Sequence, residues 1–126
     1  MKNIAIIFTR HALTEAQAVS RVDHFDEVVD WSERASQTLT SSSDAEAILD
    51  DLLSLASREA VKELTLFGVI PPVLRSALFH TDDERSGAKN LIEIVVYEAH
   101  NINRADEGQK PQFEFAGWLM TGSYEI

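Results

Sequence analysis

The chain opens on Asn3-Ile4-Ala5-Ile6-Ile7-Phe8, an unbroken apolar run that ends at Thr9-Arg10-His11. A strand with one wetted face alternates apolar and polar residues, whereas a strand buried on both faces does not. The run therefore predicts an interior strand over residues 3–9, in a sheet covered by helices on both sides. Open α/β sheets bind their ligands just beyond the carboxyl ends of the strands. A hydroxyl, a permanent cation and an imidazole stand at that place here, and together they suit an anionic, phosphate-bearing ligand.

The rest of the chain alternates in the same manner. Thr14 followed by Gln17 is a capping-box pattern, so a helix is expected over Glu15–Asp23, with Leu13 stapling its start. Glu27–Trp31 reads as a second strand. Residues 32–43 carry five Ser and two Thr and read as a surface loop, with Ser43 capping a helix over 44–60. The stripe Ile48, Leu49, Leu52, Leu53, Leu55 and Ala56 gives that helix its buried face. Leu64–Gly68 is the third strand. Pro71 or Pro72 then suits the first turn of a helix over 72–80. Residues 81–90 are charged and read as a loop, Leu91–Tyr97 as the fourth strand, His100–Pro111 as a polar connection, and Phe113–Met120 as the fifth strand. The order βαβαβαββ predicts a single α/β domain over 1–126, a Rossmann-like three-layer arrangement. Its sheet is mostly parallel, with a modified C-terminal edge where two strands meet as an antiparallel hairpin.

Charge and composition narrow the function classes. The net charge is −10, which opposes duplex nucleic acid and anionic membrane surfaces as partners. A small anion held by a few local cations remains compatible with it. No apolar run approaches the ~18 residues of a membrane span, and Arg10 interrupts the first run too early for a signal peptide, so the expected location is cytoplasmic. The chain has no cysteine, which removes disulfides, thiolate catalysis and cysteine-based metal sites.

Thr9, Arg10 and His11 are the first candidates. Arg10 offers a planar fork of donors for phosphate, and His11 can donate to a phosphate oxygen or move a proton near neutral pH. The plainer alternative is that His11 only satisfies backbone groups. Amides at the Thr14 helix start offer further donors. Gly68, at the end of strand three, should face the same rim, and Arg75, in the first turn of the following helix, could reach it; an exposed surface Arg is the alternative. G-x-G-x-x-G and G-x-x-x-x-G-K-[ST] are both absent, so dinucleotide cofactors and P-loop hydrolysis are not expected. Neither His24 nor His100 stands in a metal-binding spacing, and no metal or cofactor is expected. The aromatics Phe113, Phe115, Trp118 and Tyr124 either pack the core, form a subunit interface or offer a stacking platform.

The segment Ile6-Ile7-Phe8-Thr9-Arg10-His11-Ala12-Leu13-Thr14-Glu15-Ala16-Gln17 resembles the start of small CRISPR-associated proteins with a Rossmann-like fold. Those begin with a hydrophobic strand, a Ser/Thr-x-His or Asn-His step, then Leu-Thr-x-x-Gln; the matching positions here are Thr9, His11, Leu13, Thr14 and Gln17. They are related to the CARF domains of type III systems, which sense cyclic oligoadenylate, and some members, the ring nucleases, cleave it. The resemblance implies binding of cyclic oligoadenylate by a homodimer. It also implies metal-free cleavage by ribose 2′-hydroxyl attack, with His11 as the proton-transfer residue and Arg10 and Arg75 as charge stabilisers. The stretch Gly68-Val69-Ile70-Pro71-Pro72 departs from the polar Gly/Asp-rich ligand loop of that family. A non-enzymatic interaction protein on the same scaffold is the alternative function.

Overall fold

The computed structural model of the chain describes residues 2–103, 108, 110 and 112–126. Among these residues, five strands form one sheet: β1 (Ile4–Ile7), β2 (Glu27–Asp30), β3 (Glu63–Phe67), β4 (Glu93–Asn103) and β5 (Phe113–Glu125). The helices are α1 (Glu15–Ser20), α2 (Ser32–Ala35), α3 (Ser42–Glu59) and α4 (Pro72–Arg85), with a 3-10 turn at Val22–His24. The spatial order is β2-β1-β3-β4-β5. Pairing is parallel from β2 through β4, and β5 runs antiparallel along β4. The protein is thus α/β with a mixed, mostly parallel sheet.

The apolar strands take the interior positions their composition predicts. β1 and β3 lie side by side, with Ile6, Phe8, Leu66 and Phe67 all buried. Side chains alternate between two cores because successive residues of a strand point to opposite faces. Ile4, Ile6, Leu64 and Leu66 pack against α3 and α4. Ala5, Ile7 and Phe67 face the other way and pack with Leu13, Val22, Phe25 and Trp118. α3 supplies much of the first core through Ile48, Leu52 and Leu55, which recur on one side of the helix.

Several boundaries differ from the sequence reading, each for a local reason. α1 stops at Ser20 because Arg21 leaves the helical region, at φ −151°, and a 3-10 turn follows. The expected loop at 32–43 contains the short helix α2, and the cap of α3 is Ser41 rather than Ser43. Ser41 and Asp44 close a capping box, the Ser41 side chain accepting from the Asp44 amide. α4 runs on through the charged stretch to Arg85, where Asp82 accepts the backbone amide of Glu125 at 2.8 Å. β4 extends through His100–Asn103, and β5 extends to Glu125. Of the expected connection over His100–Pro111, residues 104–107, 109 and 111 lie outside the described residues.

β4 pairs with β3 only over Glu93–Tyr97. Glu98–Asn103 and Phe113–Leu119 therefore continue as a two-stranded ribbon past the end of β3. Register shifts at Val96/Tyr97 and His100/Asn101 bend this ribbon, as bulges do. No helix among the described residues is long and apolar enough to cross a membrane.

Three carboxylates, Asp30 exposed and Asp44 and Glu59 half-buried, are held below their usual pKa range. Asp44 accepts the Thr40 amide and also serves the α3 cap. Asp30 accepts from the hydroxyl and then the amide of Ser32. Glu59 is paired with Lys2, whose ammonium lies 2.7 Å away and also bridges to Glu27. A depressed carboxylate pKa means that folding favours the charged form. The associated stability is complete above the ordinary carboxylate pKa and is lost as pH falls through the lowered value. The urea midpoint, followed by circular dichroism, is expected to fall below about pH 4. Asp44→Asn is expected to flatten that acid limb; an unchanged limb would show that the Asp44 cap does not contribute to it.

Candidate functional site

The topology marks one crevice. From β1 the chain crosses to β2 on one side and then returns to β3 on the other, so its direction of travel reverses between β1 and β3. In open α/β sheets the loops leaving two such strands diverge and leave a cleft. The segments after β1 and β3, Phe8–Leu13 and Val69–Pro72, line a cavity of about 510 Å³, joined by Gln17 and Ala35. That volume lies within the range of small-molecule sites, about 300–1,000 Å³.

Gly68 brings these two segments together. Its amide donates to the Tyr97 carbonyl at 2.9 Å, while the Phe8 amide donates to the Phe67 carbonyl at 2.9 Å. The ladder thus holds both strand ends. A Cβ on Gly68 would lie 1.9 Å from the Phe8 carbonyl oxygen, so only glycine permits the approach. Gly68 is buried beneath the cleft rather than lining it.

One wall of the cleft is polar. The Thr9 hydroxyl donates to the His11 carbonyl at 2.5 Å, folding the loop back on itself. Arg10 and His11 are exposed, and neither has an ion-pair partner among the described residues. Thr14 caps α1: its hydroxyl accepts from the Gln17 amide at 3.2 Å, and its own amide donates to the Gln17 side-chain oxygen at 3.0 Å. The capping box thereby takes two of the amides that the sequence reading offered to a ligand. It also holds Gln17 against the loop that carries Arg10 and His11.

The opposite wall is apolar, made of Val69, Ile70, Pro71 and Pro72. α4 begins with Pro71 at its cap and Pro72 in its first turn, and proline has no backbone N–H. That helix start therefore presents fewer donors to an anion than an ordinary one. A ligand lying across the cleft meets charge on one side and hydrocarbon on the other. Family models, curated protein sequences and solved structures give no match to this chain.

Thr9, Arg10 and His11 line this cleft together, and Thr14 secures the loop. Arg75 stands apart from it. Its guanidinium donates to the Thr121 carbonyl at 3.1 Å, the Tyr124 hydroxyl at 3.0 Å and the Thr121 hydroxyl at 3.3 Å, with Glu98 3.8 Å away. It ties α4 to β5 and lines an adjoining groove with Ser76, Phe79 and Tyr124, on the far side of Ile70 and Pro72 of the cleft wall. β5 decides this: Thr121 and Tyr124 take up the guanidinium and hold it away from the rim. Among the described residues no three His, Cys, Asp or Glu side chains cluster closely enough to hold a metal ion.

Sequence reasoning missed Ala35 and the apolar wall as site components. Ala35 comes from α2, inside a segment whose Ser and Thr content read as loop. Gln17 was visible as a capping residue and as a position of the family resemblance, but was not named as a ligand-binding residue. A side chain that turns back to cap the helix start also turns back toward the preceding loop, and that was the available signal.

Proposed function

We propose that the cleft between β1 and β3 binds a small phosphate-bearing ligand of the cyclic oligoadenylate class, and that His11 and Arg10 support its metal-independent cleavage. One observation carries this reading: Thr9, Arg10, His11 and Gln17 stand together against the apolar Val69–Pro72 wall at the carboxyl ends of the central strands. The Arg10 guanidinium and the donors beside it suit phosphate, and the hydrocarbon wall suits the face of a base. The positions that resemble the CRISPR-associated family, Thr9, His11, Leu13 and Gln17, all line the same cleft, with Thr14 capping behind them.

In this reading the ribose 2′-oxygen attacks the adjacent phosphorus and the bond from phosphorus to the 5′-oxygen breaks. The 2′-hydroxyl loses its proton and the 5′-oxygen gains one. His11 handles proton transfer, and Arg10 stabilises charge on the phosphate oxygens. A ring of several nucleotides exceeds one cleft of this size. A two-fold homodimer on a Rossmann-like scaffold, cytoplasmic, presents the same groups to it twice.

A second reading, a non-enzymatic interaction protein, draws on β5. Phe113, Leu119 and Met120 are exposed at 71%, 53% and 61% on this edge strand. Titration calorimetry with cyclic tetra-adenylate and cyclic hexa-adenylate decides between the two. Saturable binding of either supports the first reading. If neither binds, the ligand reading falls and the interaction reading stands. Light scattering that finds only a 14.1 kDa species at micromolar concentration would count against the dimeric arrangement.

A further inference from the structure

α1 is unusual among the elements that line the cleft. It has six residues, and none of them is buried. A helix of this length has too few internal hydrogen bonds to persist on its own. Its face toward the sheet gains little from the hydrophobic effect, so its position has to come from specific ties. Two ties lie at its start, the reciprocal bonds between Thr14 and Gln17. A third comes from far along the chain. The indole N–H of Trp118, on β5, donates to the Gln17 carbonyl at 3.0 Å.

Trp118 is itself firmly placed. It is 8% exposed and sits edge-on to Phe67, with ring centroids 5.0 Å apart, and to Phe115, with centroids 5.5 Å apart. Phe67 is the last residue of β3, directly before the Gly68 contact that closes the cleft floor. The indole therefore connects the rigid end of the sheet to a helix that buries no residue of its own. Gln17 receives this tie on its backbone, presents its side chain to the cap, and lines the cleft.

We propose that Trp118 is a positioning residue for the cleft: its indole N–H anchors α1 at Gln17 and so holds the Thr9–Thr14 loop, with Arg10 and His11, in the conformation that meets a ligand. Ordering that loop during folding leaves less ordering to be done on binding. The effect on ligand affinity rests on the binding role proposed for the cleft, whereas the effect on α1 does not.

The test separates those two parts. Trp118→Phe keeps an aromatic ring against Phe67 and Phe115 and removes the donor together with the pyrrole part of the indole; the sheet amides report whether that lost volume matters. Amide exchange followed by NMR is expected to accelerate about 3–10-fold at Ala18 and its neighbours in α1, the size of one lost hydrogen bond. The Phe8 and Gly68 amides, which belong to the sheet ladder, are expected to keep their wild-type rates. Unchanged exchange in α1 overturns the proposal. So does acceleration of all these amides in parallel, because that marks a purely structural residue. If Trp118→Phe does not fold, the wild-type indole protons decide. The Trp118 indole N–H is expected to exchange more slowly than the Trp31 indole N–H, for which no hydrogen-bond partner is found among the described residues, and equal rates overturn the proposal. Affinity for cyclic tetra-adenylate is expected to drop about 3–10-fold in the same variant. If wild type binds none, the ligand reading fails while the exchange result still decides the role of Trp118.

Discussion

Gly68→Ala is expected to destabilise the protein by about 3–5 kcal/mol, because an added Cβ meets its closest contact among the five glycines there. The added Cβ would lie 1.9 Å from the Phe8 oxygen and 2.6 Å from the Phe8 carbonyl carbon. Both are backbone atoms, so no side chain can turn aside to make room. Gly68 also has φ +150°, a region that residues with a Cβ seldom adopt. Relief requires the ends of β1 and β3 to separate, which costs the ladder bonds from Phe8 to Phe67 and from Gly68 to Tyr97. A domain of this size has about 5–15 kcal/mol in total, so the midpoint of thermal unfolding is expected to fall by roughly 10–20 °C. Gly87→Ala is the control. Gly87 also has a positive φ, +82°, but nothing lies within 4 Å of its added Cβ, so the cost there is only about 1–2 kcal/mol. If Gly68→Ala melts with wild type, the close approach of the strand ends is not what shapes the cleft floor.

The features legible in the sequence were those set by local pattern. Ile4–Phe8 and Leu64–Phe67 have no polar interruption beyond Thr65, and both are interior strands. The Thr14–Gln17 box forms as its spacing requires. The features that were not legible depend on partners distant in the chain. His100–Asn103 is polar, yet it is strand because Phe113–Gly117 pairs with it; strand propensity yields to pairing context. Asp82 and its neighbours look like solvated loop, but α4 continues through them, and Asp82 holds the edge of β5 at Glu125.

Arg75 shows the same limit at the site. Its place in the first helical turn was correct, but which way that turn faces depends on where β5 lies. β5 returns antiparallel beside β4 and offers Thr121 and Tyr124, and Gly122 leaves room for the guanidinium: a Cβ there would come within 3.0 Å of Arg75. The charge expected at the rim is thereby taken into the contact between α4 and β5. Arg10 remains as the permanent cation of the candidate cleft, with the His11 imidazole beside it, both carried by the loop that directly follows the first strand.

His11→Ala and Arg10→Ala are expected to fail in different ways if the cleft cleaves a cyclic oligoadenylate. Attack by a ribose hydroxyl needs a proton removed from one oxygen and supplied to another. A positioned general acid–base group contributes about 10²–10⁴-fold, so His11→Ala is expected to lose that factor in single-turnover rate while binding changes little. Arg10 carries a charge that does not titrate, and its planar donor fork serves the bound phosphate as well as the transition state. Arg10→Ala is therefore expected to weaken binding by about 1.5–3 kcal/mol, the range for hydrogen bonds to charged groups. At an affinity measured by calorimetry that is roughly a 10–150-fold loss. Both residues are exposed and follow the last ladder bond of β1, so neither substitution is expected to disturb the fold. Matching thermal midpoints for the two variants and wild type would establish that the losses belong to the site. A His11→Ala protein that cleaves at the wild-type rate would leave the ligand assignment standing and move the proton transfer elsewhere. An Arg10→Ala protein that binds as wild type does would remove the phosphate contact on which the reading of the polar wall depends.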